Sequence, residues 1–134
     1  MTWRNAVAGL HALAGARVLL IEDEPLVALD LRSVLGDEGA EVVGPGRDLI
    51  EGLRLAHRDG LTAALLDVRI GRDTVAPIAR LLAERGVPFA FYTGQAESDA
   101  LRRAWPGAPV IAKPTPTRQL VATLEKLCGL PTPL

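Results

Sequence analysis

The chain has 134 residues, 49% of them hydrophobic and 23% charged, with 15 basic against 16 acidic side chains. That length suits one domain, at roughly 150 residues per domain, and the composition excludes wholesale disorder. A net charge of −1 and the lack of an apolar run near the ~18 residues of a membrane span argue against nucleic-acid and membrane partners. Cys128 is the single cysteine, so no internal disulfide can form; its apolar surroundings read as a buried, reduced thiol of the cytosol.

Residues 1–16 form an N-terminal extension. Trp3, Val7, Leu10 and Ala14 recur at helical spacing, which allows either an extra helix or a frayed tail. Ala14-Gly15-Ala16 has the form of a signal cleavage site, but His11 and several glycines interrupt the apolar stretch ahead of it.

From Arg17 the sequence alternates regularly. Val18-Leu19-Leu20-Ile21 reads as a parallel strand buried on both faces. A helix follows, with Pro25 in its first turn and Val27, Leu31, Val34 and Leu35 facing inward. Glu41-Val42-Val43-Gly44 is a second strand. Asp48 caps the next helix, whose inner stripe is Leu49, Leu53 and Ala56. Thr62-Ala63-Ala64-Leu65-Leu66 is the third strand, ending at Asp67. Val75, Ile78, Ala79 and Leu82 mark the third helix, stopped by Gly86 and Pro88. Phe89-Ala90-Phe91-Tyr92 is the fourth strand, ending at Thr93-Gly94. A short polar helix spans Ser98 to Ala104. Pro109-Val110-Ile111-Ala112 is the fifth strand, ending at Lys113-Pro114. Thr115 caps the last helix, with Pro116 at its first position and Leu120, Leu124 and Leu127 inside; residues 129–134 are a C-terminal tail.

Five short strands alternating with five helices predict an open parallel sheet covered on both faces. Ligands of such sheets bind beyond the carboxyl ends of the strands. There the sequence places Glu22, Asp23 and Glu24, then Asp67, Thr93 and Lys113. Clustered carboxylates repel one another unless a cation lies between them, and hard oxygen ligands favour Mg²⁺. A lysine and a hydroxyl beside that cation complete a site for a phosphoryl group. Only two of the 15 basic residues are lysines, Lys113 and Lys126, and one falls at this edge. His11 and His57 have no ligand-like company and read as structural or solvated.

The combination Glu22-Asp23, Leu65-Leu66-Asp67, Thr93-Gly94 and Lys113-Pro114 resembles the receiver domain of bacterial two-component response regulators, over residues 17–128. Phe89-Ala90-Phe91-Tyr92-Thr93-Gly94 and Asp67-Val68-Arg69-Ile70-Gly71 are similar to a stand-alone alphaproteobacterial type with an aromatic Thr-Gly strand. The resemblance implies a flavodoxin-like (βα)5 three-layer sandwich with a parallel five-stranded sheet of order 2-1-3-4-5. It implies that Asp67 accepts a phosphoryl group from the phosphohistidine of a sensor histidine kinase or phosphotransfer protein. Asp23, Asp67 and the main-chain carbonyl of Arg69 would ligate Mg²⁺, and Glu22 would act through water. Lys113 would contact Asp67 and then the phosphoryl group, Thr93 would turn its hydroxyl onto it, Gly94 belongs to the switching loop, and Lys113-Pro114 would be a cis peptide.

Family kinases dock on the first helix and the loop after the fifth strand, here Leu26, Leu29 and Thr115. Signalling would run through a downstream protein partner in the cytoplasm, or the domain would act as a phosphate sink; self-association is left open. The protein is expected not to be an enzyme beyond its own phosphorylation and dephosphorylation. Arg102, Arg103 and Trp105 read as a solvated face, with a partner surface as the alternative.

The departures from the pattern concern the readout. Val110 stands where receivers often carry an aromatic, Thr115 where the subtype has phenylalanine, and Gln95 where it has tyrosine. They leave a rival, a receiver-shaped interaction module independent of phosphorylation. An aspartyl-phosphate hydrolase would need an acid two residues after Asp67, where Arg69 stands. A flavin binder would need a neutral phosphate loop where Glu22-Asp23-Glu24 stands.

Overall fold

The computed structural model describes residues 11–94 and 98–129. In chain order the elements are β1 (Arg17–Ile21), α1 (Pro25–Asp37), β2 (Glu41–Gly46), α2 (Leu49–Ala56), β3 (Ala63–Asp67), β4 (Arg69–Ile70), β5 (Asp73–Thr74), α3 (Ala76–Glu84), β6 (Phe89–Thr93), α4 (Ser98–Ala104), β7 (Val110–Ala112) and α5 (Thr117–Cys128). Five strands form a parallel sheet of order β2-β1-β3-β6-β7. This is the expected 2-1-3-4-5 order once the two-residue hairpin β4–β5, which the sequence pattern did not reveal, is set aside.

Alternation along each strand divides the core. Leu19, Ile21, Leu66 and Phe91 pack under α2, α3 and α4 with Leu55, Ile78, Leu82 and Leu101. Val18, Leu20, Leu65, Tyr92 and Ile111 pack on the other side against Leu31 and Leu35 of α1 and Leu120 and Leu124 of α5. With both faces covered, the strands read as continuous apolar runs.

Local chemistry sets the helix ends. Pro25 opens α1 after the Glu24 cap. The Asp48 side chain accepts from the Glu51 N–H at 2.8 Å, and Glu51 Oε1 accepts from the Arg47 N–H at 2.9 Å. Thr115 does not cap α5. Its hydroxyl donates to Gln119 Oε1 at 3.2 Å, and Pro116, with ψ 138°, is still extended, so the helix starts one residue later.

Other expectations shift in detail. The face of α2 that is fully buried is Gly52, Leu55 and Ala56, with Leu49 and Leu53 at its margins. The helix is so tightly packed that a Cβ on Gly52 would sit 2.5 Å from Ile78 Cδ1 of α3 and 3.2 Å from Ile21 Cδ1 of β1. Leu13 is fully buried and its N–H donates to Glu38 O at 2.8 Å, so the end of the N-terminal extension belongs to the core. The proposed N-terminal helix over Trp3, Val7 and Leu10, Gln95, and residues 130–134 of the tail lie outside the described residues. Trp105 joins no solvated face; its ring packs against Phe89 and Phe91 with centroids 6.1 and 6.2 Å away, while Arg102 and Arg103 are exposed. Two phenylalanines on one face of β6 leave an apolar space that a large ring fills. Cys128 is half-buried, its Sγ 3.6 Å from Thr62 Oγ1.

Gly44 shows how tightly β2 lies on β1. Its φ is +114°, and an added Cβ would fall 2.6 Å from Leu20 O. Gly44→Ala is expected to cost on the order of 3 kcal/mol, read as a lower urea midpoint with unchanged m-value.

Candidate functional site

The acidic residues reach one place because β1 and β3 are adjacent and in register, with Ile21 opposite Leu66. Glu22 and Asp23 follow the first strand and Asp67 ends the other. Glu22, Asp23 and Asp67 each offer a carboxylate oxygen within 4.8 Å of the others. Glu22 is only 1% exposed. Its N–H donates to Gly46 O at 3.0 Å, tying the end of β1 to the end of β2.

Lys113 arrives from the far side of the sheet. Its N–H donates to Thr93 O at 2.9 Å, extending the β6–β7 ladder. Its Nζ donates to Glu22 Oε1 at 2.9 Å and to Asp67 Oδ2 at 3.2 Å. The Lys113-Pro114 bond is cis, as the resemblance implied. Thr93 is buried at the end of β6, one residue past the Asp67–Tyr92 pairing, and Gly94 follows with Lys113 Cβ 3.7 Å from where its own Cβ would be.

Three contacts escape the sequence. The Gly71 N–H donates to Asp23 Oδ2 at 2.7 Å, so the loop after Asp67 returns to orient the first-strand acid. Gly71 sits in the β4–β5 turn with φ +65°, and its place four residues after Asp67 was the available signal. Lys113 pairs directly with Glu22 as well as with Asp67. Its Nζ also lies 5.1 Å from the centre of the Tyr92 ring, a cation–π contact worth about 1 kcal/mol. Arg69 opens the hairpin two residues after Asp67, with its side chain exposed.

Three carboxylates face one ammonium. Burial, the hydrogen bond to Asp67 and the nearby Asp67 charge push the Glu22 carboxyl up to about 7, against the opposing pull of Lys113. Burial draws the Lys113 ammonium down, but the bond to Glu22 and the charges of Asp67 and Glu22 outweigh it and raise its pKa. Burial also raises the Tyr92 phenol. The cluster is short of positive charge, and its oxygen donors, one side open at half-buried Asp23, fit a hard divalent cation.

The sequence and the fold have relatives among known proteins. No family model matches the chain. It is 30% identical over 112 residues to the transcriptional regulatory protein PdtaR of Mycobacterium tuberculosis, covering 81% of this chain and 55% of PdtaR. It is 30% identical over 120 residues to the phyllosphere-induced regulator PhyR of Methylorubrum extorquens, covering 87% of this chain and 45% of PhyR. The receiver domain of sensor histidine kinase PA1611 from Pseudomonas aeruginosa superposes with a TM-score of 0.74 at 26% identity, over 87% of this chain and 99% of that domain. The chain belongs to the response regulator receiver family. It spans about half the length of these curated relatives. In the PA1611 receiver a magnesium ion is coordinated in the active-site cleft.

Of the receiver residues expected from the sequence, Glu22, Asp23, Asp67, Thr93 and Lys113 all lie at one edge of the sheet. Leu26 and Leu29 are 74% and 68% exposed on α1, and Thr115 lies in the loop after Lys113-Pro114. Ile50, 83% exposed on α2, is a further surface apolar residue that the pattern did not single out.

The raised Glu22 carboxyl has a definite sign. The folded receiver keeps a proton that the unfolded chain, at the ordinary carboxylate value of 4.5, gives up. Without divalent ions, that stabilisation is present in full below pH 4.5 and is lost as pH rises through about 7. The unfolding free energy from urea titrations is expected to fall over this window by on the order of 2 kcal/mol, and Glu22→Gln to flatten the fall.

Proposed function

We propose that this receiver accepts a phosphoryl group on Asp67 from the phosphohistidine of a sensor histidine kinase or phosphotransfer protein. It then signals through a protein partner or drains phosphoryl groups as a sink. The observation that carries the reading is Lys113 Nζ at 3.2 Å from Asp67 Oδ2, beside two further carboxylates at the same strand ends.

An Asp67 oxygen supplies the electron pair for the new P–O bond. The P–N bond of the donor breaks, and its electron pair stays on the imidazole nitrogen. Lys113 steers Asp67 before transfer and then donates to a phosphoryl oxygen. A compact ammonium on a flexible stem can follow that movement, where a planar guanidinium could not. Thr93 donates its hydroxyl to another phosphoryl oxygen. Glu22 holds Lys113 from the buried side, so the ammonium keeps one partner throughout.

Asp23, Asp67 and the main-chain carbonyl of Arg69 would hold Mg²⁺, with Glu22 acting through water. When bound, the ion neutralises charge on the transferring oxygens. Gly71 keeps Asp23 aimed at that position. The receiver acts as a phosphoryl carrier with no turnover beyond loss of its own phosphoryl group. Leu26 and Leu29, with Thr115 across the site, form the surface offered to the kinase. The reading sets this exchange in the cytoplasm; no helix among the described residues is long and apolar enough to cross a membrane.

A second reading, a receiver-shaped module independent of phosphorylation, has one observation in its favour: half-buried Val110 replaces the aromatic of the usual readout. Under it, Asp67→Asn would leave partner binding unchanged.

Incubation with acetyl phosphate and Mg²⁺ is expected to add one phosphoryl mass to the intact protein. Asp67→Asn and Asp23→Asn are expected to abolish the increment. Lys113→Ala is expected to slow its appearance on the order of 100-fold. Absence of any increment, together with no binding of beryllofluoride, would overturn the reading.

A further inference from the structure

We infer that Tyr92 is a positioning residue, its ring holding the Lys113 ammonium over the acid cluster and registering the lysine's displacement when a phosphoryl group arrives. The inference rests on the reading of Asp67 as phosphoryl acceptor.

The starting point is the problem Lys113 poses. Lysine carries its charge on a stem of four rotatable carbons, and the two carboxylates hold it only from the acid side. A third contact is needed to fix the position of the ammonium between them. Tyr92 supplies it, with the Nζ 5.1 Å from the ring centre and the negative ring face toward the cation.

The ring is itself well held. Tyr92 pairs with Asp67 of β3 on one side and with Ile111 of β7 on the other, so its backbone lies between the acceptor and the strand that delivers the lysine. Its side chain is 9% exposed and packs in the cluster with Leu31, Leu120 and Leu124. Phe91 and Phe89, one and three residues earlier, face the opposite layer with Trp105. Tyr92 is the aromatic residue of this strand that can reach the site.

Phosphorylation moves negative charge outward from the Asp67 carboxylate to the phosphoryl oxygens. Nζ follows that charge, and its distance from a rigid ring must change. The ring therefore senses the lysine, on the strand next to the one where Val110 offers no aromatic.

Tyr92 is the single tyrosine of the chain, so 3-fluorotyrosine gives one fluorine resonance. That resonance is expected to shift in the unliganded protein on Lys113→Met. It is also expected to shift in the wild-type protein on adding beryllofluoride with Mg²⁺, and Lys113→Met should suppress this second shift. Lys113 and Lys126 are the only lysines, so peptide mass mapping separates their labelling by an amine reagent. Tyr92→Leu is expected to raise labelling of Lys113 relative to Lys126 by about three- to tenfold, and Tyr92→Phe to leave it at the wild-type value. An unshifted resonance on Lys113→Met, or unchanged labelling in a folded Tyr92→Leu protein, overturns the inference. Beryllofluoride that fails to bind at all overturns the acceptor reading instead, and the labelling and the Lys113→Met shift still decide the role of Tyr92.

Discussion

The site depends on one ammonium shared between two carboxylates. Lys113 bridges Glu22 and Asp67, which end neighbouring strands, while it is itself the first residue past the edge strand. That bridge closes the mouth of the sheet across β1, β3 and β7. It also leaves the acid cluster with more negative than positive charge. A buried carboxylate in such a place either takes up a proton or attracts a cation, and the elevated Glu22 pKa is the first of these outcomes.

The rest of the fold brings the bridge about. Burial of both sheet faces forces apolar residues at consecutive positions, so the polar side chains of each strand are displaced to its ends. Parallel pairing then puts all the carboxyl ends on one edge. The groups of the candidate site thus need no element of their own, since the position where each apolar run stops delivers them.

That displacement is why most of the site could be read from the chain. Each of four apolar runs stops at a polar residue, two carboxylates, a hydroxyl and an ammonium: Glu22, Asp67, Thr93 and Lys113. The apolar stripes of α1, α3 and α5 were visible for the same reason, since their periodicity directly reflects a buried face. The contacts that escaped depend on geometry between distant segments. The Lys113–Glu22 bond joins residues 91 apart, and the Gly71–Asp23 bond depends on the path of a hairpin only two residues per strand. Trp105 was misjudged because the two arginines before it suggested water, whereas the space beneath it is defined by Phe89 and Phe91 on another element. The shift of the α2 stripe to Gly52 has a similar origin. A glycine carries no hydrophobic signal, yet here it marks a close approach of α2 to β2 and α3.

That close approach makes the two flanks of the sheet unlike. At Gly46 an added Cβ would meet Ile21 Cδ1 at 2.8 Å and Gly52 Cα at 3.1 Å, so α2 and β2 approach closely around the Ile21 side chain. That corner of β1, β2 and α2 has no room for a further side chain. On the opposite flank α4 has seven residues and is anchored through Leu101, with Trp105 just beyond its end. On the crowded flank a side chain at position 46 or 52 would have to displace Ile21, and with it the end of the strand that carries Glu22.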